Sequence, residues 1–221
     1  MKFTKTLLTM TLLSFSILGT AQMAYAESAQ EIQFQQAIDA YKKNDFATAF
    51  KLFQLLAEQG NAWAQHILGI IYKEGVVVKQ DYFEAMKWSR KAAEQGLAEA
   101  QYNLGVMYMN GYGVKQDYFE AVKWYRKAAK QGDASAQSNL GMMYSNGQGV
   151  RQDYVEAVKW YRKAAELGGA LGQNNLGASY EYGVGVKQNK RKAKEYYGLA
   201  CDGGNQKGCD NYRRLSEAGI K

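Results

Sequence analysis

Two cysteines and one histidine are the side chains best suited to chemistry in this chain. Cys201 and Cys209 are eight positions apart, whereas a redox-active dithiol usually has the C-x-x-C spacing. A lone pair of cysteines in an oxidising compartment is typical of a structural disulfide. The bond would close a short loop and stabilise the fold by roughly 2–3 kcal/mol.

No pattern typical of a catalytic centre accompanies these residues. A serine acyl-enzyme needs S-x-x-K and K-T-G, and neither occurs after residue 26. A Ser–His–Asp triad or a His-rich zinc site would require His66. Its equivalents further along the chain are Tyr102, Ser138 and Asn174, so we expect a partly exposed helix residue. The sequence predicts no catalytic residue, no metal and no cofactor.

The first 26 residues have the pattern of a cleaved export signal. Lys2 and Lys5 precede an apolar run over residues 7–18, and residues 24–26 read Ala-Tyr-Ala. The run is too short to span a bilayer. We therefore expect a periplasmic or secreted chain that starts at Glu27, without a transmembrane segment after cleavage. The formal charge of +7 includes the two signal lysines, and no base-reading motif points to nucleic acid.

Beyond the signal, the chain repeats itself every 36 residues. Copies begin at Gln65, Gln101, Gln137 and Gln173, and the second and third share more than two-thirds of their residues. Apolar residues at helical spacing lie on both sides of a Gly-x-Gly-Val loop, which predicts two helices per copy. The loops follow no strand and lack a Walker lysine, so they are turns rather than phosphate sites.

In the second copy, we expect the first helix from Ala100 to Asn110. The second helix would start at Asp117, whose carboxylate caps the helix while Glu120 reaches back to complete a capping box. Gly132 suits the left-handed residue that ends it.

Small residues predict close packing within each pair. Gly105 is expected to face Ala121 and Ala128, while Tyr108 and Trp124 fill the space between pairs. One pair cannot bury both of its faces, so successive pairs must stack.

These features predict an all-α fold, a right-handed α/α superhelical solenoid of helix–turn–helix repeats in one domain. The predicted units are a cleaved signal at 1–26, then a domain at 27–221 with a tetratricopeptide-like pair at 31–64, repeats at 65–100, 101–136, 137–172 and 173–208, and a capping helix at 209–221.

The repeat resembles the Sel-1-like repeats, relatives of the tetratricopeptide repeats. The match is carried by Ala100, Leu104, Gly105, Tyr108, Gly111, Gly113, Val114, Asp117, Ala121, Trp124, Tyr125, Ala128, Ala129 and Gly132 and their copies. This resemblance implies a superhelical scaffold that binds other proteins.

The last repeat also resembles the secreted cysteine-rich members of that family, in which each repeat carries two cysteines eight apart. Some of those proteins bind penicillins and are called β-lactamases, so the resemblance implies that activity as an alternative. Here Cys201 and Cys209 are the only such pair, and the other copies hold Ala and Gln.

The first helices carry a candidate binding surface. Leu104 and Tyr108 would point into the stack, so the opposite face would form a concave wall. Asparagine amides there could pair with the backbone of an extended peptide, above a methionine floor. Alternatively, the asparagines tie adjacent repeats together and the methionines are core. The candidate residues are Ile67, Ile71, Asn103, Met107, Asn110, Asn139, Met143, Asn146, Asn175 and Tyr182.

Basic residues recur on the second helices, as in Lys123, Arg126 and Lys127. They favour a solvated outer face, and the alternative is attraction to an anionic envelope polymer. The predicted function is an exported scaffold that binds another protein or peptide. The alternatives are a penicillin binder or weak β-lactamase, and an envelope-polymer adaptor.

Overall fold

The computed structural model describes residues 29–221, which form eleven α-helices and no strand. Successive helices pack antiparallel in five pairs, followed by one further helix, so the predicted all-α solenoid is confirmed. The predicted signal at 1–26 and the start at Glu27 lie outside these residues. The helices are α1 Ala29–Lys42, α2 Phe46–Glu58, α3 Ala62–Glu74, α4 Tyr82–Glu94, α5 Ala98–Asn110, α6 Tyr118–Lys130, α7 Ala134–Asn146, α8 Tyr154–Glu166, α9 Ala170–Tyr182, α10 Lys190–Asp202 and α11 Gln206–Glu217.

Consecutive helices contact each other throughout, and α7 also contacts α9, the first helix of the next pair. Each first helix of the four repeats contributes one fully buried leucine to the core: Leu68, Leu104, Leu140 and Leu176. No helix of this part of the chain is both long and apolar enough to cross a membrane.

The second helices begin as predicted, but the capping box does not form. The Asp117 carboxylate accepts hydrogen bonds from the N–H groups of Phe119 at 2.9 Å and Glu120 at 3.1 Å. The Asp117 N–H that Glu120 was expected to bind donates instead to the Tyr108 carbonyl. Glu120 therefore pairs with Lys123, with 2.9 Å between Oε1 and Nζ.

Gly105 packs on an aromatic ring rather than on the predicted alanines. A Cβ at this position would lie 2.6 Å from Cδ1 of Tyr125. Ala121 and Ala128 are fully buried, but they are not the nearest neighbours. A ring of the second helix lies against each such glycine in the later copies too, in the pairs Gly141 with Tyr161 and Gly177 with Tyr197.

The second glycine of each Gly-x-Gly loop joins one repeat to the previous one. Gly149 has a φ of +66° and lies against the carbonyl oxygen of Tyr118, at the start of the preceding second helix. In the first copy, Val77 holds this position, and the pair before it has a shorter turn at residues 43–45. Glycine therefore occurs at this position only where the preceding pair has the longer loop, and not after the short turn at residues 43–45. The equivalent contacts are Gly113 with Tyr82 and Gly185 with Tyr154.

Candidate functional site

The first helices share one partly accessible stripe, at positions i, i+4, i+7 and i+11 of each helix. We call this stripe the first-helix wall. All of its residues are partly or fully exposed except Asn139, which is buried. Its members are Trp63, Ile67, Ile70 and Glu74 on α3, Glu99, Asn103, Val106 and Asn110 on α5, Ser135, Asn139, Met142 and Asn146 on α7, and Leu171, Asn175, Ala178 and Tyr182 on α9.

The predicted methionine floor is wrong. Met107 and Met143 are 1% and 0% exposed, because each lies three residues after a core leucine and so shares its helical face. Ile71 is half-buried and packs against the core. The apolar members of the wall lie one position earlier, at Ile70, Val106, Met142 and Ala178, where counting three residues on from the asparagines would have found them.

The predicted asparagines lie on the wall, but they differ in their contacts. The Asn139 amide is buried near the hydroxyl groups of Tyr102 and Tyr125 in the preceding pair, where it counteracts the rise that burial causes in the pKa of both tyrosines. Asn103 is half-buried and has no side-chain partner within residues 29–221. The amides at the wall's ends are locally bonded, Asn110 to the Val106 carbonyl at 2.8 Å and Asn146 to the Gln148 side chain at 3.3 Å.

A relay of buried glutamines, which the sequence analysis did not identify, joins successive pairs. Gln101 donates through Nε2 to the Ala93 carbonyl at 3.1 Å. Its Oε1 accepts from Gln131 at 2.8 Å, and Gln131 also donates to the Gly96 carbonyl at 2.9 Å. Gln65 and Gln95 make the same contacts one repeat earlier. Glutamine recurs at an interval of 36 residues at both positions, and this recurrence could have revealed the relay.

The relay stops at Leu167, which occupies the position of Gln131. The Oε1 atom of Gln137 is therefore buried without a hydrogen-bond partner, while Leu167 is 57% exposed. Gly203 holds the same position one repeat later, and Gln173 Oε1 is likewise unpaired.

Restoring the relay by Leu167→Gln should increase stability. The new amide can donate to Gln137 Oε1 and to the Gly132 carbonyl, as Gln131 does one repeat earlier. We expect a gain of about 1 kcal/mol in the free energy of unfolding, measured by urea denaturation. Leu171→Gln is the control, since it removes another exposed leucine, 42% accessible, away from the unpaired Oε1 of Gln137. An equal gain in both variants would mean that lost surface apolarity, not the relay, is responsible.

The last helix is fixed by a buried carboxylate, a second feature that the sequence analysis missed. Glu181 is 4% exposed and accepts two hydrogen bonds of 2.7 Å from Arg214 on α11. The Tyr197 hydroxyl donates a third, also of 2.7 Å. These bonds, chiefly those from Arg214, lower the pKa of Glu181 despite its burial. Glu181 stands where the other copies have Lys73, Met109 and Ser145, which was the available clue.

Arg214→Ala should destabilise the fold at neutral pH by about 2 kcal/mol, because it leaves Glu181 buried with one donor. Since the folded pKa of Glu181 is lowered, its stabilisation is present above the unfolded pKa and is lost as the pH falls through the folded value. In urea titrations, the difference in the free energy of unfolding between the wild type and Arg214→Ala should therefore become smaller below about pH 4. Arg213→Ala, an exposed neighbour without a partner, is the control. A difference in the free energy of unfolding that stays constant down to pH 2.5 would contradict the stabilising role of ionised Glu181.

The cysteines form a disulfide between α10 and α11, as expected. Cys201 and Cys209 occupy the positions of Ala165 and Gln173, which one repeat earlier are joined by a hydrogen bond of 3.4 Å from Gln173 Nε2 to the Ala165 carbonyl. At the end of the stack, a covalent bond thus replaces the hydrogen bond that the preceding repeats use.

The five helix pairs also match a known repeat. The model of the Sel1 repeat family matches residues 21–61, 64–97, 98–133, 134–169 and 170–205. The chain belongs to the Sel1 repeat family. Each of the last three matched segments holds one first helix, its loop and the following second helix, and starts three residues before the glutamine used to count the copies.

Among solved structures, the chain is similar to a protective antigen of uropathogenic Escherichia coli strains that displays the same fold, with 40% identity and a TM-score of 0.81. The match covers 86% of this chain and 42% of that one. A Sel1 repeat protein from Oxalobacter formigenes is 37% identical, with a TM-score of 0.71, and 79% of this chain and 72% of that chain are covered. No curated protein matches the chain. Sel1 repeats generally mediate protein–protein interaction.

His66 does not lie on the surface of this Sel1 repeat protein, contrary to the sequence expectation. It is 4% exposed, edge-on to Trp63 at 6.1 Å between ring centroids. Burial lowers its pKa to about 4, so the imidazole is neutral at pH 7. Within residues 29–221, no three His, Cys, Asp or Glu side chains are grouped so that they could hold a metal ion.

The basic side chains of the second helices are bound within the protein. Lys127 lies 4.0 Å from the centre of the Trp124 ring, and Arg126 donates to the Tyr144 hydroxyl of the next repeat at 3.0 Å. With Lys123 paired to Glu120, each of these three cations has a partner inside the protein. The arrangement favours the solvated outer face over an anion-binding surface.

Proposed function

We propose that this chain is an exported Sel1 repeat scaffold that binds a peptide segment of another protein on its first-helix wall. The observation that carries the proposal is the composition of the wall. It combines unbonded or weakly bonded amides, such as Asn103, with half-exposed apolar residues, such as Val106 and Met142. Amides can pair with the backbone of an extended peptide, and the apolar row accepts its side chains.

Three observations support export. Residues 1–26 have the composition of a signal peptide. The disulfide between Cys201 and Cys209 suits an oxidising compartment. The chain is similar to a protective antigen of uropathogenic Escherichia coli, of which it spans less than half the length. Amino-terminal sequencing of the protein from periplasmic extracts should begin at Glu27, and an intact amino terminus would count against this part of the proposal.

The wall is tested by placing charge on it without disturbing the core. Asn103→Arg and Met142→Arg, combined, should reduce recovery of a wild-type partner from envelope fractions at least about tenfold. Both side chains are partly exposed, so the melting temperature should change little. Asn139 is left unchanged because it is buried, and replacing it would disturb the fold.

The control for this experiment is Lys123→Ala with Lys159→Ala on the outer face. If the outer-face variant loses the partner while the wall variant keeps it, the wall is not the binding surface. The penicillin-binding alternative has one support, the cysteine pair of the last repeat, and hydrolysis of a chromogenic cephalosporin by the purified protein tests it.

A further inference from the structure

The edge of the solenoid where first helices turn into second helices repeats one surface. We call residues 75–83, 111–119, 147–155 and 183–191 the loop edge. Two surface depressions lie there, of about 480 and 500 Å³. One is lined by Tyr144 and residues 150–153, and the other by Tyr108, residues 114–119 and Gly149. They contain equivalent residues 36 positions apart, so the surface is one site in repeated copies.

In each copy of the loop edge an exposed cation lies immediately before the Gln-Asp, or in the fourth copy the Gln-Asn, at the start of the second helix. None of these cations is within 4 Å of a carboxylate in the described part of the chain, whereas Lys87, Lys123 and Lys159 each pair with a glutamate. The neighbouring Asp117 is engaged with backbone N–H groups of its own helix. The unpaired cations are Lys79, Lys115, Arg151 and Lys187.

In the first three copies an exposed apolar side chain follows the cation by four residues, whereas the fourth copy has Arg191 at this position. Phe83 and Phe119 are 77% and 76% exposed, and Val155 is 57% exposed. Beside them the rings of Tyr82 and Tyr112 stack with their centroids 4.9 Å apart. Such exposure of large apolar groups is unusual on a water-facing surface when it recurs in a row. The loop edge therefore presents alternating positive and apolar positions.

We propose that the loop edge binds an extended acidic segment of a partner protein, in which carboxylates alternate with apolar side chains. The loop edges of successive repeats adjoin, since the Tyr82 and Tyr112 rings lie 4.9 Å apart. Equivalent cations are therefore expected about 10 Å apart, the diameter of one helix, and an extended chain advances about 3.3 Å per residue. One carboxylate in every three residues would then meet one cation per repeat. The apolar groups, with Val155 among them, suit the side chains of a peptide better than the hydroxyls of a polysaccharide. This surface is separate from the first-helix wall and goes beyond the proposed function.

Charge reversal on the full mature chain tests the site. The probe is a fluorescein-labelled peptide of about 12 residues with Glu at every third position and Leu between, measured by fluorescence anisotropy. Lys115→Glu with Arg151→Glu should weaken binding at least about tenfold, and Phe119→Ala about threefold. The matched control, Lys130→Glu with Lys207→Glu, makes the same change in net charge elsewhere and should alter the affinity less than about twofold.

Three results would overturn the proposal. One is an equal loss in both charge-reversed pairs, and another is equal affinity for a peptide with Gln in place of Glu. The third is tighter binding of heparin, an anionic polysaccharide, that does not respond to Phe119→Ala. The wall variants are measured by recovery of the partner and the loop-edge variants by anisotropy of the labelled peptide, so failure at the loop edge is distinguishable from failure of the wall.

Discussion

Gly149→Ala should destabilise the fold by about 3–4 kcal/mol, although it adds one methyl group. The methyl would meet the carbonyl of Tyr118 and the backbone nitrogen of Phe119. These backbone atoms cannot move without displacing the start of α6. The positive φ of +66° adds backbone strain of about 1 kcal/mol or more. Overpacking against a backbone has to be relieved by shifting one repeat relative to the next. The midpoint of urea denaturation measures the loss.

Gly132→Ala provides the matched control for this substitution. Gly132 has a φ of +91°, and nothing lies within 4 Å of the position that a Cβ would occupy. Only backbone strain is then expected, about 1 kcal/mol. Equal losses in both variants would show that the contact between the loop and Tyr118 contributes nothing, and that only the left-handed backbone matters.

Tyr125→Ala should cost about 4 kcal/mol, the range of large aromatic deletions in cores. The side chain is completely buried, its ring covers Gly105, and its hydroxyl lies 3.5 Å from the sulfur of Met109. The neighbouring Gly105 has no side chain that could fill the cavity left by the substitution. Calorimetric or urea-induced unfolding would measure the effect.

The comparison for this variant is Tyr112→Ala, which removes a tyrosine at the loop edge. Tyr112 is 36% exposed and contacts mainly the Tyr82 ring, so a loss of only about 1 kcal/mol is expected. A Tyr125→Ala variant that loses no more than this would contradict the central role given to the glycine–tyrosine contact.

Much of this fold could be predicted because the same helix-capping residues and glycines occur at the same positions in several copies. Helix starts at Asp117 and helix ends at Gly132 follow from local backbone chemistry, and both were correct. The capping box failed because the Tyr108 carbonyl, distant in sequence, competes for the Asp117 N–H. A local pattern does not reveal such a competitor.

The candidate site could be predicted only in part. The asparagine row was correctly placed on one helix face, but the methionines were assigned to that face although their spacing from Leu104 and Leu140 puts them in the core. Glu181 and Arg214 were missed because their contact joins residues far apart in the chain. Because this ion pair occurs in one repeat only, comparing the copies with one another does not reveal it.

The interruption of the glutamine relay at Leu167 affects where the solenoid begins to unfold. On its amino-terminal side, interlocked amides hold neighbouring pairs, and beyond it the disulfide and Glu181 hold the end of the stack. The two junctions of the α7–α8 pair have neither device, and each keeps a single amide bond, from Gln137 to the Ala129 carbonyl or from Gln173 to the Ala165 carbonyl. The stack is therefore held least firmly at this pair. Amide hydrogen exchange and mechanical stretching should both reveal separation there first, leaving two cooperative blocks.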